Sequence, residues 1–158
     1  MTLRFHPFFN AMASAALLAL VGTFSPSAHA AGELSPVGLW KSFDDNTGLA
    51  DAEVSITQTN GQLTGKLLRD LITPANEPPL RCDHCTDERK GQPVVGMEII
   101  RRAVYLADKN LWGNGEILDP EIGKTYRVEI KLLDGGKKMQ VRGYWGPMYR
   151  TQLWERLQ

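Results

Sequence analysis

The sequence predicts an all-β protein that folds as a single antiparallel up-and-down β-barrel of about eight strands. From residue 37 onward, apolar residues recur mainly at every second position, which is the period of a half-buried strand and not of a helix. Most of these segments are separated by short turns rich in Gly, Asn or Asp. Short antiparallel strands with one apolar face each hide their edges when they close into a barrel.

The first 30 residues form a separate segment with the pattern of a secretory signal peptide. Arg4 supplies the basic region, an apolar run follows over residues 11–21, and small residues lead to Ala28-His29-Ala30. The apolar run is about half the roughly 20 residues that a membrane-spanning helix needs. We therefore expect cleavage near Ala30, no membrane span in the mature chain, a barrel domain over residues 31–158, and a periplasmic or secreted location.

Each strand is predicted from its own alternating segment. The segments "AEVSITQT" and "QLTGKLLR" flank Asn60-Gly61, a pair that takes the two positive φ angles of a type I′ hairpin turn. The segments "KTYRVEIKLL" and "KKMQVRGYW" flank Asp134-Gly135-Gly136, which predicts a second hairpin. The other predicted strands are "VGLWKSF", a run near "GMEII", "WGNGEIL" and "RTQLWERL". A short helix is allowed only at residues 101–108.

One long Pro-rich loop, from Thr73 to Pro93, interrupts this pattern and carries both cysteines in the sequence Cys82-Asp83-His84-Cys85. A closed zinc site normally takes four ligands, and these two cysteines and His84 are the only Cys or His residues outside the signal peptide. We therefore predict no metal and no other cofactor.

The cysteine pair leaves two interpretations. Cys-x-x-Cys is the spacing of thiol oxidoreductases, but their motif lies at a helix N-terminus after a strand, which a Pro-rich loop in an all-β chain does not supply. The favoured interpretation is a structural disulfide between Cys82 and Cys85, which closes a short loop and contributes about 2 kcal/mol at most.

Charge and motifs argue against several classes of function. Acidic and basic residues are balanced at 18 each, which gives no electrostatic case for nucleic acid as a partner. The sequence contains no Gly-x-Ser-x-Gly elbow, and the segment from Asp44 to Gly48 lacks the Glu that completes an EF-hand loop, so it is expected to be a turn. Asp119 and Glu121 are expected to be solvated turn residues. We predict no catalytic residue.

Aromatic residues supply the candidate ligand contacts. Trp112, Tyr126 and Trp145 occupy strand positions that can face the barrel interior, and Arg142 or Tyr144 would supply a polar anchor if the opposite face were the interior. An eight-stranded barrel is just wide enough to fill itself with side chains or to hold one small ligand. The sequence leaves both outcomes open.

Several motifs together resemble a known family. The segment Val37-Gly38-Leu39-Trp40 resembles the Gly-x-Trp signature of lipocalin-like barrels, and Arg156 on the last strand is expected to lie over the Trp40 indole, as a basic residue does in that superfamily. Such a cation–π contact contributes roughly 0.5 to 2 kcal/mol. With "CDHC", "GNGEILDPEIGKTYRVEIKL" and "VRGYWG…RTQLWER", the chain resembles the bacterial exported family called domain of unknown function 2147. The resemblance implies a lipocalin-like, calycin-type barrel and an envelope location, and it implies no reaction.

These observations favour a non-enzymatic binder of a small apolar or amphipathic ligand in the barrel interior. Two alternatives from other classes remain: a thiol-redox protein that uses Cys82 and Cys85, and an envelope protein–protein interaction module that uses the long loop. The sequence makes no prediction of oligomeric state.

Overall fold

Eight antiparallel strands close into a barrel in sequential order in the computed structural model, which describes residues 34–158. The strands are β1 (Gly38–Phe43), β2 (Ala50–Thr59), β3 (Gln62–Asp70), β4 (Glu98–Leu106), β5 (Leu111–Asp119), β6 (Lys124–Leu133), β7 (Lys138–Trp145) and β8 (Met148–Arg156). Strand β8 pairs with β1 through Trp40 and Arg156, which closes the barrel. The predicted fold class is confirmed, whereas the predicted signal peptide lies outside the described residues.

The two predicted hairpins are present. Asn60 and Gly61 have φ angles of 51° and 78° between β2 and β3, as a type I′ turn requires. Asp134, Gly135 and Gly136 all have positive φ and form a short 3-10 turn between β6 and β7. In both hairpins the turn places the strands in the register that alternation predicts.

The short helix allowed at residues 101–108 is wrong, because most of this segment belongs to β4. Arg102 has a φ of 59°, and pairing with β3 is irregular nearby. Because of this irregularity, Ile100 and Ala103 are both fully buried although they are three residues apart. Their spacing imitates one face of a helix although the backbone is a bulged strand.

The barrel has one packed end. Its interior there is filled by large side chains that are fully buried, namely Trp40, Ile56, Leu63, Ile130 and Met139. This end also contains both ends of the described chain and the turns that follow β2, β4 and β6. We call it the closed end.

Arg156 connects strands β1 and β8 with the turn after β6 at the closed end. The guanidinium of Arg156 lies 4.2 Å from the centre of the Trp40 ring, and its nitrogens donate to the carbonyls of Ser35, Val37 and Gly136. The indole N–H of Trp40 in turn donates to the carbonyl of Pro36 at 2.7 Å. Strands β1 and β8 and the turn after β6 are therefore joined by one network.

The opposite end, which we call the open end, carries the connections after β1, β3, β5 and β7. The connection after β3, residues 71–97, contains the Pro-rich loop. The sulfurs of Cys82 and Cys85 lie at disulfide distance, with Cα atoms 5.4 Å apart, and both residues are fully buried. The pair therefore packs into the domain and does not project into solvent.

Two contacts attach this connection to β6 and to the turn before it. Arg89, only 5% exposed, donates to the carboxylate of Asp87, to the carbonyl of Glu98 and to Thr125 Oγ1. Gly123 in the β5–β6 turn has a φ of 67°, and a Cβ atom there would overlap the carbonyl of His84. Within residues 34–158, no helix has the length and apolar character needed to cross a membrane.

Candidate ligand-binding cavity

A cavity of about 540 Å³ occupies the barrel interior beneath the open end. Its apolar wall is formed by Val54, Leu67, Val94, Ile99, Leu118, Val141 and Trp154. Val94 belongs to the long connection, so that connection contributes to the wall as well as to the rim. The volume lies within the range of about 300 to 1,000 Å³ that is typical of small-molecule sites.

Small inward-facing residues leave this space. Ser42, Ala52 and Gly143 line the cavity, whereas strand positions toward the closed end carry Trp40 and Met139. Ser42 is only 4% exposed, and its hydroxyl is satisfied by the Asp51 carboxylate. The barrel is therefore filled at one end and hollow at the other, which answers the question that the sequence left open.

Carboxylates line part of the mouth of the cavity. They come from the start of β2, the ends of β3 and β5 and the adjoining connections, and they are Asp44, Asp51, Asp70, Asp119 and Glu121. Within residues 34–158, none of them has a Lys or Arg nitrogen within salt-bridge distance. Among the described lining residues, Arg150 is the only Lys or Arg; it forms its ion pair with Asp45, and its charge also acts on Asp44 and Asp119.

The mouth shifts the pKa values of its own carboxylates. Partial burial raises the pKa of Asp51 above its ordinary value, with a smaller contribution from the charge of Asp44. Partial burial also raises the pKa of Glu121, and the negative charges of Asp119, Asp51 and other mouth carboxylates act in the same direction. At Glu121 the negative charges of its neighbours therefore add to the effect of burial.

Asp44 has a separate structural role in the turn after β1. Its carboxylate accepts hydrogen bonds from the backbone N–H groups of Asn46 and Thr47 and from the Thr47 hydroxyl. The backbone hydrogen bond from Thr47 is the main reason that the pKa of Asp44 lies below its ordinary value. The segment is a turn, as the sequence predicted.

The structure separates the five predicted ligand contacts. Tyr126 and Trp145 line the cavity. Trp112 is buried outside the cavity lining, and its ring centre lies 5.0 Å from that of Tyr105. Arg142 and Tyr144 are not in the lining either.

The period of β7 explains the positions of Arg142 and Tyr144. Val141 and Gly143 face the interior, so Arg142 and Tyr144 face outward. On the outer surface, Arg142 Nε donates to Thr151 Oγ1 at 2.9 Å, and the Tyr144 hydroxyl donates to Glu129 at 2.6 Å.

Alternation and motifs in the sequence do not bring the carboxylates together as a group. No motif marks Asp51 or Asp70, and the sequence predicts Asp119 and Glu121 as solvated turn residues. The available signal is positional: in an up-and-down barrel, the start of β2 and the ends of β3 and β5 meet at one end. Acidic residues at those three places predict a charged rim once the strand order is known.

Comparisons with known proteins agree with this architecture. A family model described as an uncharacterized protein conserved in bacteria, domain of unknown function 2147, matches residues 38–156. The chain belongs to this family. The match runs from the first residue of β1 to the last residue of β8, so the family domain coincides with the barrel.

A solved structure with the same kind of fold is that of protein HP1028 from the human pathogen Helicobacter pylori, which belongs to the lipocalin family. The two share 16% sequence identity with a TM-score of 0.65, and the match covers 80% of this chain and 85% of the other. Identity at this level shows the common barrel fold alone. No curated protein matches the chain.

Proposed function

We propose that this protein is an exported, non-enzymatic binder that holds a small amphipathic ligand inside the barrel. The observation that carries the proposal is the cavity of about 540 Å³, which has an apolar wall, a polar mouth and a closed end packed with large side chains. Such a cavity admits a ligand from one direction only. An apolar part would lie against Val54, Val141 and Trp154, and a polar part would remain at the rim.

The apolar wall supplies part of the free energy of binding. Each buried methylene group contributes about 0.8 kcal/mol, so a chain of eight such groups contributes roughly 6 kcal/mol before the costs of association are subtracted. Contacts at the mouth must supply the rest. Affinities in the micromolar range are expected for ligands of this size.

The experiment tests whether the ligand occupies the cavity. Decanol binding would be measured by isothermal titration calorimetry to the wild-type protein, to a Val141→Phe variant and to a Leu153→Phe control. Val141 lines the cavity and is 3% exposed, whereas Leu153 is 52% exposed on β8. We expect Val141→Phe to weaken binding at least tenfold and Leu153→Phe to leave it unchanged.

Equal affinity of the three proteins would contradict the proposal. Because a larger side chain can disturb packing, Ala52→Leu provides a second blocking variant on another strand, and thermal unfolding would show that each variant is folded. Native mass spectrometry of protein isolated from its bacterial host would then identify what the cavity carries.

The thiol-redox alternative is less well supported. Cys82 and Cys85 are 0% and 1% exposed, so neither sulfur is open to attack by an external thiolate. We expect no reaction with a thiol reagent in the folded state and two reactive thiols after denaturation and reduction. Rapid labelling of the folded, mildly reduced protein would favour the redox alternative instead.

A further inference from the structure

We propose that the ligand of this cavity is a small cationic amphiphile, whose apolar part enters the barrel and whose positive charge stays among the carboxylates of the mouth. This inference rests on the proposed function, since it concerns the chemical class of ligand that the same cavity takes. The cavity supplies the site, and the carboxylates determine which ligands it prefers.

The described cavity lining carries more negative than positive charge. Five carboxylates and one guanidinium line it, and that guanidinium, of Arg150, pairs with Asp45 outside the lining while its charge also acts on Asp44 and Asp119. The nearby ammonium of Lys124 lies 5.5 Å from the centre of the Trp145 ring. Acidic and basic residues are equal in number over the whole chain, so the excess of negative charge is local to the mouth.

The carboxylates are spread along the rim and do not form one compact cluster. They come from three places around the rim, the flanks of the β1–β2 connection, the end of β3 and the β5–β6 turn. In the part of the chain that the structure describes, no three Asp, Glu, His or Cys side chains come close enough together to hold a metal ion. A distributed negative field suits a bulky organic cation, whose charge does not need a compact ligand set.

The carboxylates of the mouth lie directly above the apolar wall of the cavity. Asp51 adjoins Ala52 on β2, and Asp119 adjoins Leu118 on β5, so charged and apolar surfaces meet at the rim. A neutral apolar molecule would satisfy the wall alone, and an anion would be repelled at the mouth. A cationic amphiphile satisfies both surfaces. Burial raises the pKa values of Asp51 and Glu121, and the negative charges of neighbouring mouth carboxylates add to this effect.

The test uses three probes with the same ten-carbon chain: decyltrimethylammonium, decanol and decanoate, each below its micelle-forming concentration. By calorimetry at pH 7 and low salt, we expect the cation to bind about tenfold more tightly than decanol, and decanoate to bind more weakly than decanol. The preference for the cation should shrink as the salt concentration rises, because the mouth is open to solvent.

Two charge-neutralising double variants make the test specific. Asp70→Asn with Glu121→Gln removes two charges at the mouth, whereas Asp108→Asn with Glu155→Gln removes two exposed charges toward the closed end. We expect the first pair to abolish most of the preference for the cation over decanol. The second pair should retain the wild-type preference. Glu121→Gln alone serves as the milder variant if the first pair lowers stability.

A pH series gives an independent measurement, because decyltrimethylammonium has no group that titrates. The charged and titratable groups at the mouth are its five carboxylates, Arg150, the nearby Lys124, Tyr126 and Tyr149. Because burial raises the pKa values of Asp51 and Glu121, protonation of these two groups as the pH falls from 7 toward 4 should reduce the preference for the cation over decanol.

The two levels of the proposal fail in different ways. If none of the three probes binds, the proposed binding function is contradicted. If decanol binds, but the cation has no advantage or keeps its advantage in the mouth variant, only the inference of a cationic ligand is overturned.

Discussion

At Gly123 the backbone of the long connection packs directly against the β5–β6 turn. The φ of 67° at this residue favours glycine, and the atoms that a Cβ would overlap are the His84 carbonyl and the Cys85 nitrogen, both of which belong to backbone. Backbone cannot rotate away as a flexible side chain can. The disulfide-bearing segment is therefore seated on the β5–β6 turn through a position that has no room for a methyl group.

We predict that Gly123→Ala lowers the free energy of unfolding by at least about 2 kcal/mol, measured by urea denaturation. Gly91→Ala is the matched control: it has the same φ of 67° and no atom within 4 Å of the added Cβ. The control should cost only about 1 kcal/mol, from backbone strain. Equal losses in the two variants would show that the contact with His84 does not matter.

We also predict that Asp51→Asn stabilises the protein at pH 7. Because burial raises the pKa of Asp51 in the folded state, the folded protein binds this proton more tightly than the unfolded chain does. Stability from this group therefore falls as pH rises from about 4, its ordinary carboxyl range, through the raised folded-state pKa. The variant should have a higher Tm than wild type at pH 7 and no advantage at pH 3. A lower Tm at pH 7 would contradict this account.

At the scale of elements, the long connection behaves as a packed part of the domain. Arg89, Cys82 and Cys85 are all buried, and the backbone N–H of Gly96 donates to the carbonyl of Leu67 on β3 at 2.7 Å. The disulfide therefore acts within a segment that is already held by other contacts.

Replacement of both cysteines, Cys82→Ser with Cys85→Ser, should lower the free energy of unfolding by about 2 to 4 kcal/mol. About 2 kcal/mol comes from loss of the short covalent loop, and the rest from placing hydroxyl groups in buried positions. Circular dichroism should show an unchanged barrel, because the cysteines lie outside the eight strands. Loss of the β signal would mean that the disulfide is required for folding.

Arg156 at the closed end and the exposed Arg127 on β6 give a paired test, because each lies over an aromatic ring. Arg156 lies 4.2 Å from the Trp40 ring and Arg127 lies 4.3 Å from the Tyr144 ring, but only Arg156 also donates to three backbone carbonyls. We expect Arg156→Met to lower stability by about 3 kcal/mol and Arg127→Met by less than 1 kcal/mol, measured by urea denaturation. Similar losses would mean that the hydrogen bonds of Arg156 contribute little.

The sequence predicted the elements better than their contacts. Alternation and the turn residues Asn60-Gly61 identified the strands and a hairpin register, because both signals are local. The seating of Cys82 and Cys85 against the β5–β6 turn joins residues far apart in the chain, and no local pattern records it. The helix allowed at residues 101–108 failed because a bulge at Arg102 gave buried residues a helical spacing.

The candidate site was only partly predictable for the same reason. Tyr126 and Trp145 line the cavity as their strand phases indicated, whereas Arg142 and Tyr144 have the opposite phase and lie outside. The carboxylates could not be grouped before the strand order was known. Whether the interior was filled depended on the summed volumes of residues from many strands.

At the scale of the whole molecule, the barrel is packed at one end and hollow at the other. The same substitution should therefore cost more stability at a packed position than at the cavity wall. Val128 and Val141 are both nearly fully buried and face the interior from neighbouring strands, but only Val141 lines the cavity. We expect Val128→Ala to cost about 2 kcal/mol and Val141→Ala about half as much, because the Val141 methyl groups have fewer partners to lose. Equal losses in urea denaturation would indicate that the cavity is filled in solution.

The two described ends of the chain meet at the closed end, where the Leu39 amide donates to the Gln158 carbonyl at 3.0 Å. A short linker could therefore join Leu34 to Gln158, and new termini could be opened at the exposed Asn60-Gly61 turn without entering the cavity. The same geometry means that a molecule tethered to a surface through Gln158 would present its mouth away from that surface. Attachment of the protein through its closed end would therefore leave the mouth of the cavity accessible.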